Sequence, residues 1–276
     1  MIIEAAHGVA EGFLRMQGFR RERVCGVSAF RGGNGPPMVL LHGALSRGST
    51  TWGLVAGRLA RHFDIIAPDL PGFGGSAAAL ASERVTVRSV AGALLEVLPE
   101  WTGGGRCALV GGSLGGWVAA RMALERPALV GRLVLVDSAG YWRDEAAARG
   151  LADLITPETR EALEELYGRV LGRRRLPGLV ARDVLRSYRR DYAAMRNLIG
   201  SAEGDVLTEA ELRGIMHPAH VVWGEGDTLI PPEVGRDLAA AIPGATLDVL
   251  PGCAHVPQVE AAGRFVDVVL RRLAGG

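Results

Sequence analysis

The sequence predicts an α/β fold, with a mostly parallel central sheet flanked by helices and a helical insertion between two of its later strands. Three observations carry this expectation. Short apolar runs alternate with helical stretches along most of the 276 residues, the pattern that right-handed βαβ crossovers produce. The alternation lapses once, from Tyr141 to about Met216, where only helix-forming sequence is visible. Finally, Gly111-Gly112-Ser113-Leu114-Gly115 joins an apolar run directly to a helical stretch.

Taken in order, residues 1–17 read as a short amphipathic helix and Arg20 to Phe30 as a strand, followed by a turn from Gly32 to Pro37. Further strands are expected at Met38 to Leu41, Asp64 to Ala67, Cys107 to Val110, Leu133 to Val136, His220 to Trp223 and Ala245 to Leu250. Helices are expected near 52–62, 86–99, 114–125, 232–242 and 261–273. The domain division follows: residues 1–140 and 216–276 form the core, and 141–215 form a helical lid. Counted along the sequence, that lid holds 13 arginines and 13 acids, with eight of the arginines between 172 and 196. Most of this charge reads as a solvated helical face. The sharper reading points Arg186, Arg189 or Arg190 at an anionic substrate.

Composition excludes several classes. Hydrophobic residues make up 48% of the chain and charged residues 22%, ample for a domain with a large core. The net charge is +1, and all 31 basic residues are arginines scattered along the chain. A nucleic-acid partner would require them on one face or helix. Cys25, Cys107 and Cys253 are too widely spaced for a metal motif or a disulfide framework. No secretory leader and no membrane-spanning run is visible, so a cytoplasmic protein is expected. Neither a cofactor nor a metal is implied. His217 and His220 precede a strand with no third ligand nearby.

The chemistry gathers at three loops. A tight turn between strand and helix lifts the Ser113 hydroxyl to the carboxyl edge of the sheet, and larger residues at the flanking glycines would collide with neighbouring backbone. Serine needs a base, and the base needs an orienting acid. Trp223-Gly224-Glu225-Gly226-Asp227 places a carboxylate just past one strand end, and Gly252-Cys253-Ala254-His255 places an imidazole after the last strand. Asp137, which also ends a strand, is a rival acid; Asp227 is preferred. An oxyanion needs two donors, assigned to the backbone N–H groups of Leu114 and Ala44, with Leu45 as the alternative. His42, in the turn after a core strand, reads as structural. Leu45 and Val256 are further candidates for substrate contact.

These segments, with Leu41-His42-Gly43 and Asp69-Leu70-Pro71-Gly72-Phe73-Gly74, resemble the α/β-hydrolase family along nearly the whole chain. The resemblance implies the α/β-hydrolase fold with a cap inserted after its sixth strand. Epoxide hydrolases and haloalkane dehalogenases carry an aspartate where Ser113 stands. Carbon–carbon hydrolases usually show a glycine-rich loop after the His-Gly turn and asparagine before the nucleophile; here these are Ala44-Leu45-Ser46 and Gly112. Perhydrolases commonly carry aromatic residues at those places. The Gly-Gly-Ser-x-Gly-Gly elbow looks most like bacterial carboxylesterases and lipases with small caps, although they usually place glycine, not Ala254, before the histidine. The expected activity is hydrolysis of small to medium acyl esters. Carbon–carbon hydrolysis with a cap arginine on the substrate carboxylate stands second, thioesterase, amidase and perhydrolase chemistry third, and a non-enzymatic receptor last.

Overall fold

The computed structural model describes residues 2–44, 46–81, 84–142, 151, 154–172, 182, 184–185, 194, 197–198 and 202–274. Its centre is an eight-stranded sheet in the order β1-β2-β4-β3-β5-β6-β7-β8. The strands are β1 (Arg20–Val24), β2 (Val27–Gly32), β3 (Pro37–Leu41), β4 (Asp64–Pro68), β5 (Cys107–Gly112), β6 (Val130–Val136), β7 (Ala219–Gly224) and β8 (Thr246–Leu250). From β4 to β8 every pairing is parallel, while β2 runs antiparallel to both β1 and β4.

One expectation is corrected here. Arg20 to Phe30 is a hairpin and not a single strand, because the chain reverses at Cys25 and Gly26, with φ of 45° and 85°. Two successive positive φ angles make the tight turn whose twist matches its strands. Asparagine or aspartate usually announces such a turn, and the cysteine concealed it. The other strands fall where alternation put them, each within a few residues.

Residues along the parallel strands face two cores in turn. Val39, Leu41, Leu109, Leu133, Leu135 and Val221 share one core with α3 (Val87–Thr102) and α4 (Leu114–Glu125). Met38, Leu40, Val110, Val134, Val136 and Val222 share the other with α1 (Ile2–Met16) and α2 (Gly48–Leu59). This two-faced burial explains why the strands read as continuous apolar runs. Among the described residues of 141–215 there is no strand; the longest helix there is α5 (Arg160–Leu171), whose Leu163 packs with Val184. One short helical turn, α6 (Ala202–Asp205), and α7 (Glu209–Arg213) lead into β7. After it come α8 (Pro232–Ala241), the single turn α9 (Pro257–Glu260) and α10 (Ala262–Ala274). Among the described residues no helix is long and apolar enough to cross a membrane.

Buried polar groups hold the margins. The Arg121 side chain, 2% exposed, donates from Nη1 to Glu211 Oε1 at 2.6 Å and from Nη2 to the Asp205 carbonyl at 2.9 Å. It pins the segment that leads into β7 onto α4. His220 shares a hydrogen bond with Thr246 Oγ1 (2.5 Å), and its Nε2 lies 3.0 Å from Asp248 Oδ2. Burial, aided by Arg272 and Arg271, outweighs Asp248 and pulls its pKa down to about 4. A histidine depressed in the folded state protonates more readily unfolded, so its stability contribution is complete above about pH 6.5 and drains as pH falls toward 4. Urea titrations across that window will show wild type losing stability, by up to about 3 kcal/mol from this group, and His220→Gln losing less.

Candidate active site

The carboxyl ends of β3, β5, β6, β7 and β8 open on one edge of the sheet. The chain winds from β3 outward to β4 and then crosses to β5 on the other side. The crevice between β3 and β5 is therefore a topological switch point, where α/β sheets bind ligands. Ser113 follows β5 there, and His42-Gly43-Ala44 follows β3.

Ser113 adopts φ 53° and ψ −117°, a conformation costing about 1–3 kcal/mol for a residue with a side chain. The glycines around it show why it persists. A Cβ on Gly115 would sit 2.2 Å from the Leu41 carbonyl oxygen, and one on Gly111 would sit 2.2 Å from the Gly115 carbonyl oxygen. On Gly116 it would meet Ser138 Oγ at 2.3 Å. The helix thus starts hard against the ends of β3 and β5, and only bare backbone fits. Gly112 has no such neighbour; the nearest atom to its Cβ position is Gln258 Nε2 at 3.7 Å. Leu114 opens α4, so its N–H has no intrahelical acceptor and remains available for an anion.

His42 is structural, as its position suggested. Its Nε2 accepts from the Leu70 N–H at 2.8 Å, which leaves the proton on Nδ1 to donate to the Gly43 carbonyl at 2.7 Å. Complete burial pulls its pKa down, in keeping with that neutral tautomer. The ring braces the turn carrying Ala44 beside Ser113: a Cβ on Gly43 would stand 3.9 Å from Ser113 Oγ. Ala44 is partly buried at that turn, and Leu45 lies outside the described residues, as do Arg186, Arg189 and Arg190.

Across the sheet edge, hydrogen bonds link one loop to the next. The Ser113 N–H donates to the Val136 carbonyl (2.9 Å), and the Asp137 N–H to the Val222 carbonyl (3.0 Å). The Gly224 N–H donates to Asp137 Oδ1 (2.8 Å), and the Gly226 N–H to the Cys253 carbonyl (2.8 Å). His255 Nδ1 then donates to Asp227 Oδ2 at 2.7 Å, with both residues buried. Asp227 Oδ1 meanwhile accepts from the Leu229 and Ile230 N–H groups at 2.8 and 3.0 Å. Asp227 therefore receives three donors, whereas Asp137 receives one, and it is Asp227 that grips the imidazole.

Sequence reasoning missed Glu260. Its carboxylate accepts from the Ala254 N–H (3.0 and 3.1 Å) and the Val256 N–H (3.1 Å), clamping the backbone on both sides of His255. The available signal was an acid five residues after the histidine, beyond Pro257. The end of α5 reaches both loops: the His255 N–H donates to the Val170 carbonyl at 3.3 Å, and Arg169 Nη1 donates to the Thr228 carbonyl, in the loop after β7, at 3.2 Å. Ala254 is compatible with the turn because its φ is not positive, and its methyl lies 3.5 Å from the Cβ position of Gly172. Val256 is partly exposed on the far side of His255.

One oxygen each from Asp137 and Asp227 and one nitrogen from His255 lie within 4.8 Å of one another, the one such cluster of metal-ligating groups among the described residues. Asp227's oxygens are already occupied by His255 and two amides, an arrangement suited to holding protons more than to coordinating an ion.

Strand order, strained elbow and acid-braced histidine define an α/β-hydrolase. The chain belongs to the alpha/beta hydrolase family, whose model matches residues 38–268. It is 29% identical to a pimeloyl-[acyl-carrier protein] methyl ester esterase of Nitrosospira multiformis, covering 87% of this chain and 95% of that one. It is 31% identical to a 2-hydroxymuconate semialdehyde hydrolase of a Pseudomonas species, covering 86% of each. A solved 2-hydroxy-6-oxo-6-phenylhexa-2,4-dienoate hydrolase from a Rhodococcus species superimposes with a TM-score of 0.77 at 24% identity, over 93% of this chain and 99% of that one.

The steric reading of the elbow has a direct test. Gly115→Ala should lower stability on the order of 2 kcal/mol, as overpacking does, and should cut hydrolase turnover more than the melting shift alone implies. Gly112→Ala should melt close to wild type.

Proposed function

We propose that this α/β-hydrolase cleaves carboxylic esters of small to medium acyl chains through an acyl-serine intermediate. The observation that carries this reading is the buried 2.7 Å hydrogen bond between His255 Nδ1 and Asp227, in loops that follow parallel strands β7 and β8 on the sheet edge that also carries the strained Ser113 elbow after β5. His255 Nε2 takes the Ser113 proton as Oγ attacks the ester carbonyl, and Asp227 holds the tautomer and stabilises the imidazolium. The N–H groups of Leu114 and Ala44 receive the oxyanion. His255 then protonates the departing alkoxide. Water, activated by the same imidazole, attacks the acyl-enzyme and releases the acid. Residues 141–215 act as the cap of this site, with the end of α5 resting on the His255 loop. The three unpaired cysteines suit a reducing compartment such as the cytoplasm.

The second reading is carbon–carbon hydrolysis, favoured by the likeness to the semialdehyde hydrolase. Against it stand Ala44 and Gly112 in place of the residues usual for that reaction. Purified protein assayed on p-nitrophenyl esters from acetate upward, a thioester and a meta-cleavage diketone decides between them: short and medium esters should turn over fastest, and preference for the diketone would establish the second reading instead. Ser113→Ala should lose at least about a thousandfold in kcat and escape fluorophosphonate labelling while melting normally. Retained turnover in that variant would remove Ser113 as nucleophile.

A further inference from the structure

Resting on the triad reading above, we propose that Asp137 is a buried neutral carboxylic acid whose Oδ2 proton is donated to Asp227, making it a positioning residue behind the catalytic acid. Asp137 is 0% exposed and holds φ 41° at the end of β6, a left-handed conformation that aspartate and asparagine tolerate best. Its Oδ1 is used by the Gly224 N–H at 2.8 Å. Its Oδ2 is buried with no hydrogen-bond partner among the described residues, and one Asp137 oxygen lies within 4.8 Å of an Asp227 oxygen. An ionised oxygen left this way would be costly. A protonated one has its acceptor close by.

The surroundings carry too much negative charge for two carboxylates. Asp227 and His255 face Asp137 from the loops after β7 and β8, Cys253 faces it from the latter loop, and Glu260 from α9. Arg264 spends its Nη2 on Cys253 Sγ at 3.7 Å. Burial first, and then the Asp227 charge, push the Asp137 carboxyl well above the ordinary carboxylate range; the Gly224 amide alone pulls the other way. Two adjacent buried carboxyl groups share one negative charge. Asp227, with two amides and the imidazole as donors, keeps that charge, and Asp137 keeps the proton. The resulting O–H···O⁻ bond fixes the Asp227 rotamer and with it the seat of the His255 imidazole.

The test uses the full chain. Infrared difference spectra of wild type minus Asp137→Asn should show the C=O stretch of a protonated carboxylic acid at and above neutral pH, shifted in Asp227→Asn, where its acceptor is neutral. Absence of that band overturns the proposal whatever the substrate proves to be. On the best ester of the panel, Asp137→Ala should lose about tenfold in kcat with KM little changed, the size of one lost hydrogen bond to a charged group. Asp137→Asn, whose amide can donate to Asp227 in the same way, should recover most of that loss with the acid limb of kcat/KM in place. Movement of that limb to lower pH in Asp137→Asn would show that the imidazole had felt a charge on Asp137, and would overturn the proposal. If Ser113→Ala retains turnover, the ester mechanism fails while the infrared band still decides the state of Asp137.

Discussion

The structure depends on one close approach, that of the first turn of α4 to the end of β3. With 2.2 Å between a hypothetical Gly115 Cβ and the Leu41 carbonyl, no side chain fits, and the helix must begin within one residue of β5. That leaves Ser113 to make the whole change of direction alone, at a positive φ. The surrounding sheet sustains the strain, because the Ser113 N–H is held by β6 and its carbonyl is engaged by the Gly116, Trp117 and Ala139 N–H groups. Strain at the partly buried Ser113 and the helix-start amide of Leu114, which has no intrahelical acceptor, are thus one geometric event.

From that point the site is assembled by adjacency in the sheet. β5, β6, β7 and β8 lie side by side and parallel, so the loops that follow them share one edge although 114 and 28 residues separate Ser113 from Asp227 and Asp227 from His255. Hydrogen bonds pass from loop to loop along this edge. The two carboxyl groups at its centre differ through their donors: Asp227 sits in a turn that aims two amides at it, and Asp137 is fully buried facing a single amide. Chemically identical side chains acquire different duties because burial penalises charge and oriented amides repay it.

Much of this was legible in the residues. Mostly apolar runs of four to six residues gave away the parallel strands, and the helix at 114–125 matches to the residue. The elbow was readable because glycine at fixed spacing has few other reasons to occur between a strand and a helix. The hairpin at Cys25 and Gly26 was concealed because Cys seldom takes positive φ. Glu260 was hidden for another reason: its work is on backbone amides of a loop whose shape is not encoded locally. Ala254 looked like a departure from the family pattern, yet its backbone angles never required glycine.

The residue order by itself determined the fold class, the tight turn at Ser113 and the candidates for base and acid, since these rest on local patterns: periodicity, glycine spacing, and polar residues at strand ends. Only the tertiary structure decided between Asp227 and Asp137. Both end strands, and sequence carries no measure of which carboxyl group meets amides and imidazole and which is shut away beside another acid. Electrostatics at that edge belongs to the assembled sheet, because burial and neighbour distance exist only once β6, β7 and β8 are side by side.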